Sequence, residues 1–141
     1  MDHPFVKERT QGVNGGEIRL IESFGANVKT TTLEITKQLA GDGTLVLSLN
    51  GRLSLETVSV FLQEVRPLEA EKLALEMSAV RFLDSGGIGA LVRLFVHRNE
   101  QGLKFALIAL AQQGKAAMEV SGLLKILPTY ASVQEALDQM A

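Results

Sequence analysis

Residues 75–91 read LEMSAVRFLDSGGIGAL, an apolar run that leads into a tight Asp-Ser-Gly-Gly segment and then into a second apolar pattern. The run beginning at Leu73 has strand length and does not alternate, which is typical of a central strand covered on both faces. From Ile88 onward, apolar residues recur at helical spacing and predict a single apolar stripe on a helix. We therefore expect a strand that ends near Met77 and a helix that begins near Gly86.

The chain on either side alternates in the same manner. Apolar runs of strand length occupy residues 33–39, 45–49, 73–77, 105–109 and 126–130. Apolar residues at helical spacing follow all but the first of these runs, at residues 55–65, 88–96, 117–124 and 133–140. This order, ββαβαβαβα, predicts an α/β fold in which helices pack against a mixed β-sheet.

Short polar signals mark where the predicted elements turn or begin. The Gly-Asp-Gly at 41–43 predicts a hairpin turn because Asp-Gly tolerates positive φ. Ser54 is placed to cap the first helix, which the Arg-Pro at 66–67 should end. Ser132 and Glu135 have capping-box spacing before the last helix. Residues 1–32 are polar and glycine-bearing, so we expect a loosely ordered N-terminal extension with room for one short strand, followed by a domain at 33–141.

Composition narrows the class of protein. The chain has 141 residues, of which 46% are hydrophobic and 21% are charged, as in one globular domain. Its net charge of −2, without a basic block, argues against nucleic acid as a partner. The N-terminus does not resemble a signal peptide, and no apolar run approaches the roughly 20 residues that span a bilayer. We therefore expect a cytoplasmic protein without membrane insertion.

The sequence offers little catalytic chemistry. The absence of cysteine excludes disulfides and thiolate sites, and the two histidines form no metal-ligand spacing. Ser85 has no base, because His97 would lie 97 − 85 = 12 residues along the same helix, about 18 Å away at 1.5 Å per residue. Gly114 and Lys115 lack the rest of a phosphate-binding loop. We expect no catalytic residue, no metal and no cofactor.

Ser85 is the side chain in the Asp-Ser-Gly-Gly segment that can carry a modification. At the N-cap of the predicted helix, the positive end of the helix dipole would tolerate a phosphate. Gly86 and Gly87 carry no Cβ, so a kinase or a partner backbone could approach the hydroxyl closely. Serine is also a common N-cap, and an ordinary strand-to-helix turn explains the same residues. Both interpretations remain open from spacing alone.

Residues 75–91 closely resemble the signature of STAS domains, specifically those of bacterial anti-sigma-factor antagonists. That signature typically reads D-L-S-x-V-x-F-[IM]-D-S-[ST]-G-[LI]-[GA]-x-L. Residues 51–53, Gly-Arg-Leu, resemble the family's G-x-[LI]-D element, and residues 120–137 resemble its C-terminal third. The resemblance covers residues 33–141 and leaves the extension unexplained.

The resemblance implies a binding switch. A serine-kinase anti-sigma factor, an ATPase of the GHKL type, would phosphorylate Ser85 in the environment of Asp84, Gly86 and Gly87. The unphosphorylated form would bind that anti-sigma factor and release the sigma factor, and a serine phosphatase would reset the switch. The family is not enzymatic, and no cofactor is implied.

Two departures from the family pattern affect this expectation. Ser54 stands where the G-x-[LI]-D element has its aspartate, and Gly86 replaces a small hydroxyl residue, which leaves Ser85 as the one acceptor in the turn. Ser54, Arg93 and Leu94 are candidates for contact with the partner. The alternative is a STAS adaptor or scaffold, either a stressosome-like subunit or an accessory subunit of a lipid-transport complex. In that case Ser85 would be a helix cap or a contact residue, without a phospho-switch.

Overall fold

The computed structural model describes residues 9–13, 16–28 and 31–140, and within them the chain forms one β-sheet with helices on both faces. The strands are β1 Arg9–Val13, β2 Gly16–Val28, β3 Thr31–Ala40, β4 Leu45–Leu53, β5 Lys72–Leu83, β6 Lys104–Ile108 and β7 Thr129–Tyr130. The helices are α1 Val58–Val65, α2 Ser85–Glu100, α3 Gln112–Val120 and α4 Val133–Met140, with a 3-10 turn at Leu123–Lys125.

The sheet is mixed, as expected. Its strands lie in chain order, antiparallel from β1 to β4 and parallel from β4 to β7. From β3 onward the order of strands and α-helices is ββαβαβαβα, which confirms the prediction for this part of the chain. The hairpin turn between β3 and β4 is also confirmed, with Gly43 at φ 91°.

Two rows of side chains show why the central strands do not alternate. Leu47, Leu75 and Leu107 are neighbours across β4, β5 and β6, and all three are fully buried in the larger core cluster beneath α1 and α2. One position earlier on each strand, Val46, Ala74 and Ala106 form a second buried row, which packs with Ala136 and Met140 of α4. Because both faces are covered, apolar residues occupy consecutive positions. Each buried leucine contributes about 1.5–3 kcal/mol.

Strand β5 continues to Leu83 instead of ending near Met77. The exposed residues 78, 79 and 81 interrupt the apolar run, but pairing with β4 persists to Leu53↔Leu83 across two irregularities in register. Pairing with β6 stops earlier, at Glu76↔Ile108. The last part of β5 therefore has a strand neighbour on one side only.

The first helix begins later than expected, and Ser54 does not cap it. Helix α1 starts at Val58, after a turn in which the amide groups of Thr57 and Val58 donate to the Ser54 carbonyl. The Thr57 hydroxyl accepts from the Ser54 amide at 3.0 Å and donates to the Arg52 carbonyl at 2.8 Å. The Ser54 hydroxyl is buried and has no hydrogen-bond partner among the described residues. The end of α1 at Val65 is as predicted.

The C-terminal elements differ from expectation in their bounds. Helix α3 begins at Gln112 and stops at Val120, and Leu124 belongs to the separate 3-10 turn. The break falls at Gly122, whose φ of 78° is the left-handed conformation that ends helices. The Ser132 hydroxyl accepts from the Glu135 amide at 3.1 Å, which confirms that Ser132 caps α4.

The segment expected as a loose extension holds two strands rather than one. Strand β2 pairs antiparallel with β3, from Ile18↔Ala40 to Val28↔Thr31, and β1 pairs with β2. Such pairing uses backbone groups, so polar and glycine-bearing residues can form it without an apolar pattern. Residues 1–8, 14–15 and 29–30 of the expected extension lie outside the described residues. The boundary at residue 33 stays a prediction.

Candidate functional site

The turn between β5 and α2 is built around the carboxylate of Asp84. Asp84 is the N-cap of α2, and its Oδ1 accepts from the Gly87 amide at 2.9 Å. Its Oδ2 accepts from the Leu55 amide at 3.2 Å, so one side chain joins the start of α2 to the loop between β4 and α1. The expected N-cap, Ser85, is instead the first residue of the helix. The cap lies one position earlier because the Asp84 carboxylate, and not the Ser85 hydroxyl, accepts from an amide of the first turn.

Ser85 presents a free hydroxyl at this turn. The residue is exposed, and the described part of the chain provides no hydrogen-bond partner for its Oγ. The unpaired amide groups of the first turn of α2 make this end of the helix electropositive. The hydroxyl is therefore accessible to a modifying enzyme. The neighbouring Asp84 carboxylate already accepts hydrogen bonds from two backbone amides.

The two glycines after Ser85 allow parts of this chain to approach each other closely. A Cβ on Gly86 would lie 2.9 Å from both the Cα and the backbone nitrogen of Leu55. A Cβ on Gly87 would overlap the carbonyl oxygen of Leu53. These contacts give the glycines a role within the chain, because they allow α2 to start against the end of β4. Their effect on the approach of a kinase to Ser85 stays a prediction.

Gln113 is a supporting residue that sequence reasoning missed. Its Oε1 accepts from the Leu83 amide at 2.9 Å, and its Nε2 donates to the Leu83 carbonyl at 3.0 Å. This side-chain amide takes the place of a strand neighbour where β5 has run past β6. Nothing local in the sequence distinguishes Gln113 from a solvent-facing glutamine, because its partner is 30 residues away.

The three candidates for partner contact differ in accessibility. Ser54 is 2% exposed and Leu94 is 1% exposed, so neither side chain can reach a partner in this conformation. Leu94 belongs to the core because α2 buries a wider stripe than the spacing from Ile88 predicted. Arg93 is exposed and remains a candidate.

Leu55, in contrast, lies at the surface. The sequence pattern assigned it to the apolar stripe of the first helix, but it precedes α1 and is 74% exposed. It sits beside the turn through its hydrogen bond to Asp84 and its close contact with Gly86. An exposed apolar residue is therefore held by Asp84 and Gly86, the residues on either side of Ser85 in the sequence.

His97 lies away from this turn. It is half-buried in a groove of about 330 Å³ between α1 and α2, together with Leu62, Arg66 and Arg93. Among the described residues, no three His, Asp or Glu side chains are grouped closely enough to hold a metal ion. Within the same part of the chain, no helix has the length and apolar character needed to cross a membrane.

Comparison with known proteins identifies the family. The STAS domain model matches residues 35–136, which include the β5–α2 turn and Leu55, so the chain belongs to the STAS domain family. The chain is 24% identical over 102 residues to the anti-sigma F factor antagonist of Paenibacillus polymyxa, with 70% of this chain and 87% of that protein covered.

Solved structures agree in fold. A putative anti-sigma factor antagonist from Thermotoga maritima superposes with a TM-score of 0.68 at 22% identity, covering 74% of this chain and 92% of that one. An anti-sigma-factor antagonist (STAS) domain protein from Planctomyces limnophilus has a TM-score of 0.62 at 25% identity, with 75% and 97% covered.

Proposed function

We propose that this STAS protein is an anti-sigma-factor antagonist that works as a phosphorylation-controlled binding switch in the cytoplasm. The observation that carries the proposal is the free, exposed hydroxyl of Ser85 at the first position of α2. The names of its relatives support the class of function. The protein acts by binding, and Ser85 is a phosphoacceptor rather than a nucleophile in catalysis.

The partner is a serine-kinase anti-sigma factor of the GHKL type. Unphosphorylated protein binds this partner, which then releases its sigma factor. The partner transfers the γ-phosphoryl group of ATP to Ser85 Oγ and yields ADP, with loss of the hydroxyl proton. A serine phosphatase hydrolyses the phosphoester with water, releases inorganic phosphate and restores the hydroxyl.

A phosphate at Ser85 would change binding without requiring the fold to change. It adds about −1.5 to −2 charges at pH 7, next to the carboxylate of Asp84. The helix dipole tolerates that charge in the free protein, but a partner that covers the turn must strip water from it. A hundredfold loss of affinity needs only about 2.7 kcal/mol, which one uncompensated charge in an interface can supply.

Intact-mass analysis after incubation with ATP and candidate anti-sigma kinases tests the phosphoacceptor. Wild type should gain one phosphate, and Ser85→Ala should gain none. Ser59→Ala is the matched control, because Ser59 is an exposed serine on α1. A phosphate that persists in Ser85→Ala would place the acceptor elsewhere, and no phosphate with any candidate would favour the adaptor role.

A scaffold role is the second candidate. The observation that favours it is the pair of strands β1 and β2, which precede the matched residues 35–136 and extend the sheet beyond them. Strand β1 is at the edge of the sheet, where unpaired backbone groups can pair with another chain. In that role Ser85 would contact a neighbouring subunit without being phosphorylated.

A further inference from the structure

Leu55 differs from the other exposed apolar residues in how its backbone is held, and not in how far its side chain is exposed. In the described part of the chain Val96, Val120 and Ile126 are also large and exposed, and scattered apolar residues of this kind are normal on a surface. Leu55 differs because its backbone is fixed against the turn that carries Ser85. Its amide donates to Asp84, and its Cα lies against Gly86.

Ser54, which precedes Leu55, and Thr57, which follows it by two positions, are fixed as well. The Ser54 carbonyl accepts from the amide groups of Thr57 and Val58, and the Ser54 amide donates to the Thr57 hydroxyl. A loop held in this way fixes the direction in which the Leu55 side chain leaves the backbone. A backbone segment that is already ordered loses little conformational entropy when a partner covers it, which favours binding.

We infer that Leu55 is the apolar anchor of the surface bound by the anti-sigma factor, and that the partner offers it an apolar pocket of leucine size. This inference rests on the function proposed above. Asp84 is the positioning residue, since its two oxygens hold the Leu55 loop and the first turn of α2 together. Phosphorylation of Ser85 therefore places charge inside the contact that buries Leu55, where desolvation is most costly.

Equilibrium binding to the cognate anti-sigma factor tests this role. We expect Leu55→Ser to weaken binding about 10- to 100-fold, the range that burial of one leucine supplies. Leu55→Met keeps an apolar side chain of similar volume and should stay within about threefold of wild type. Val120→Ser is the matched control, because Val120 is 91% exposed on a different element. Thermal unfolding of each variant shows whether the fold is retained.

The possible results distinguish the inferred role of Leu55 from the phosphorylation-controlled binding proposed above. If wild type binds and Leu55→Ser binds equally well, the anchor is wrong while the proposed function stands. Equal losses in Leu55→Ser and Val120→Ser would also overturn it, because any exposed apolar residue would then suffice. If wild type binds no anti-sigma factor, the proposed function fails, and the anchor fails with it. Loss confined to Leu55→Ser, with phosphorylation of Ser85 retained at high kinase concentration, supports both.

Discussion

At the scale of single residues, Asp84 is the centre of the site because it satisfies two backbone amides at once. One amide belongs to its own helix and the other to a loop that is 29 residues away in sequence. The same carboxylate lies beside Ser85, the proposed phosphoacceptor. The geometry gives it a structural role that is independent of any kinase.

We expect Asp84→Ala to lower the free energy of unfolding by about 1–2 kcal/mol, because it removes an N-cap and leaves the Leu55 amide without its acceptor. Urea unfolding measures the change. Asp138→Ala removes an exposed bond to Gln134 within α4 and should cost no more than about 0.5 kcal/mol. Equal costs for the two variants would show that the Asp84 bonds do not stabilise the fold.

The glycines of α2 provide a second comparison. Gly87→Ala should destabilise the protein by about 1–3 kcal/mol, since its Cβ would overlap the Leu53 carbonyl and α2 would have to move. Gly89→Ala, in the same helix, meets nothing within 4 Å and should stabilise by about 0.5–1 kcal/mol through helix propensity. Differential scanning calorimetry should give melting temperatures on opposite sides of wild type. A stable Gly87→Ala protein would contradict the close approach of α2 to β4.

At the scale of elements, the end of α2 is tied down by a buried arginine. Arg98 is 1% exposed, and its guanidinium donates to the carbonyls of Leu68, Ala70 and Lys104. Burial lowers the pKa of Arg98, because desolvation disfavours its charged form. The side chain joins α2 to the segment before β5 and to the start of β6.

Replacement of Arg98 should be costly. Arg98→Met leaves three carbonyls without their donor, and we expect a loss of about 2–4 kcal/mol in urea unfolding. Arg98→Lys should not restore stability, because an ammonium group lacks the planar fork of donors. Arg93→Met, on the exposed face of the same helix, is the control and should change stability little. Full rescue by lysine would show that charge matters here more than geometry.

Helices and strands could be predicted where burial determines the pattern of apolar residues along the sequence. They could not be predicted where contacts between distant parts of the chain determine the structure. Two-sided burial gives β4, β5 and β6 their continuous apolar runs, so their order could be predicted. The end of β5 was missed because exposed residues interrupt its apolar run while pairing with β4 continues. Leu55 was assigned to a helix because its spacing fits one, and its position depends on contacts with Asp84 and Gly86 that the local sequence does not encode.

At the scale of the whole molecule, the sheet extends beyond the residues that define the family. Strands β1 and β2 add to the antiparallel side, whereas the site lies at the other end of β4 and β5 from the hairpin turn at Gly43. An antagonist that binds one partner through the β5–α2 turn needs no assembly through β1. We therefore expect the purified protein to elute as a monomer in size-exclusion chromatography with light scattering. A stable ring or shell would contradict the simple antagonist and favour the scaffold.

The most direct test of the account compares the affinity of two forms of the same protein for its anti-sigma factor. Isothermal titration calorimetry would be performed with unphosphorylated protein and with protein phosphorylated stoichiometrically at Ser85. The account predicts binding that is at least about 100-fold weaker after phosphorylation, a difference of about 2.7 kcal/mol. Equal affinity of the two forms would contradict the phosphorylation switch, even if Ser85 is phosphorylated.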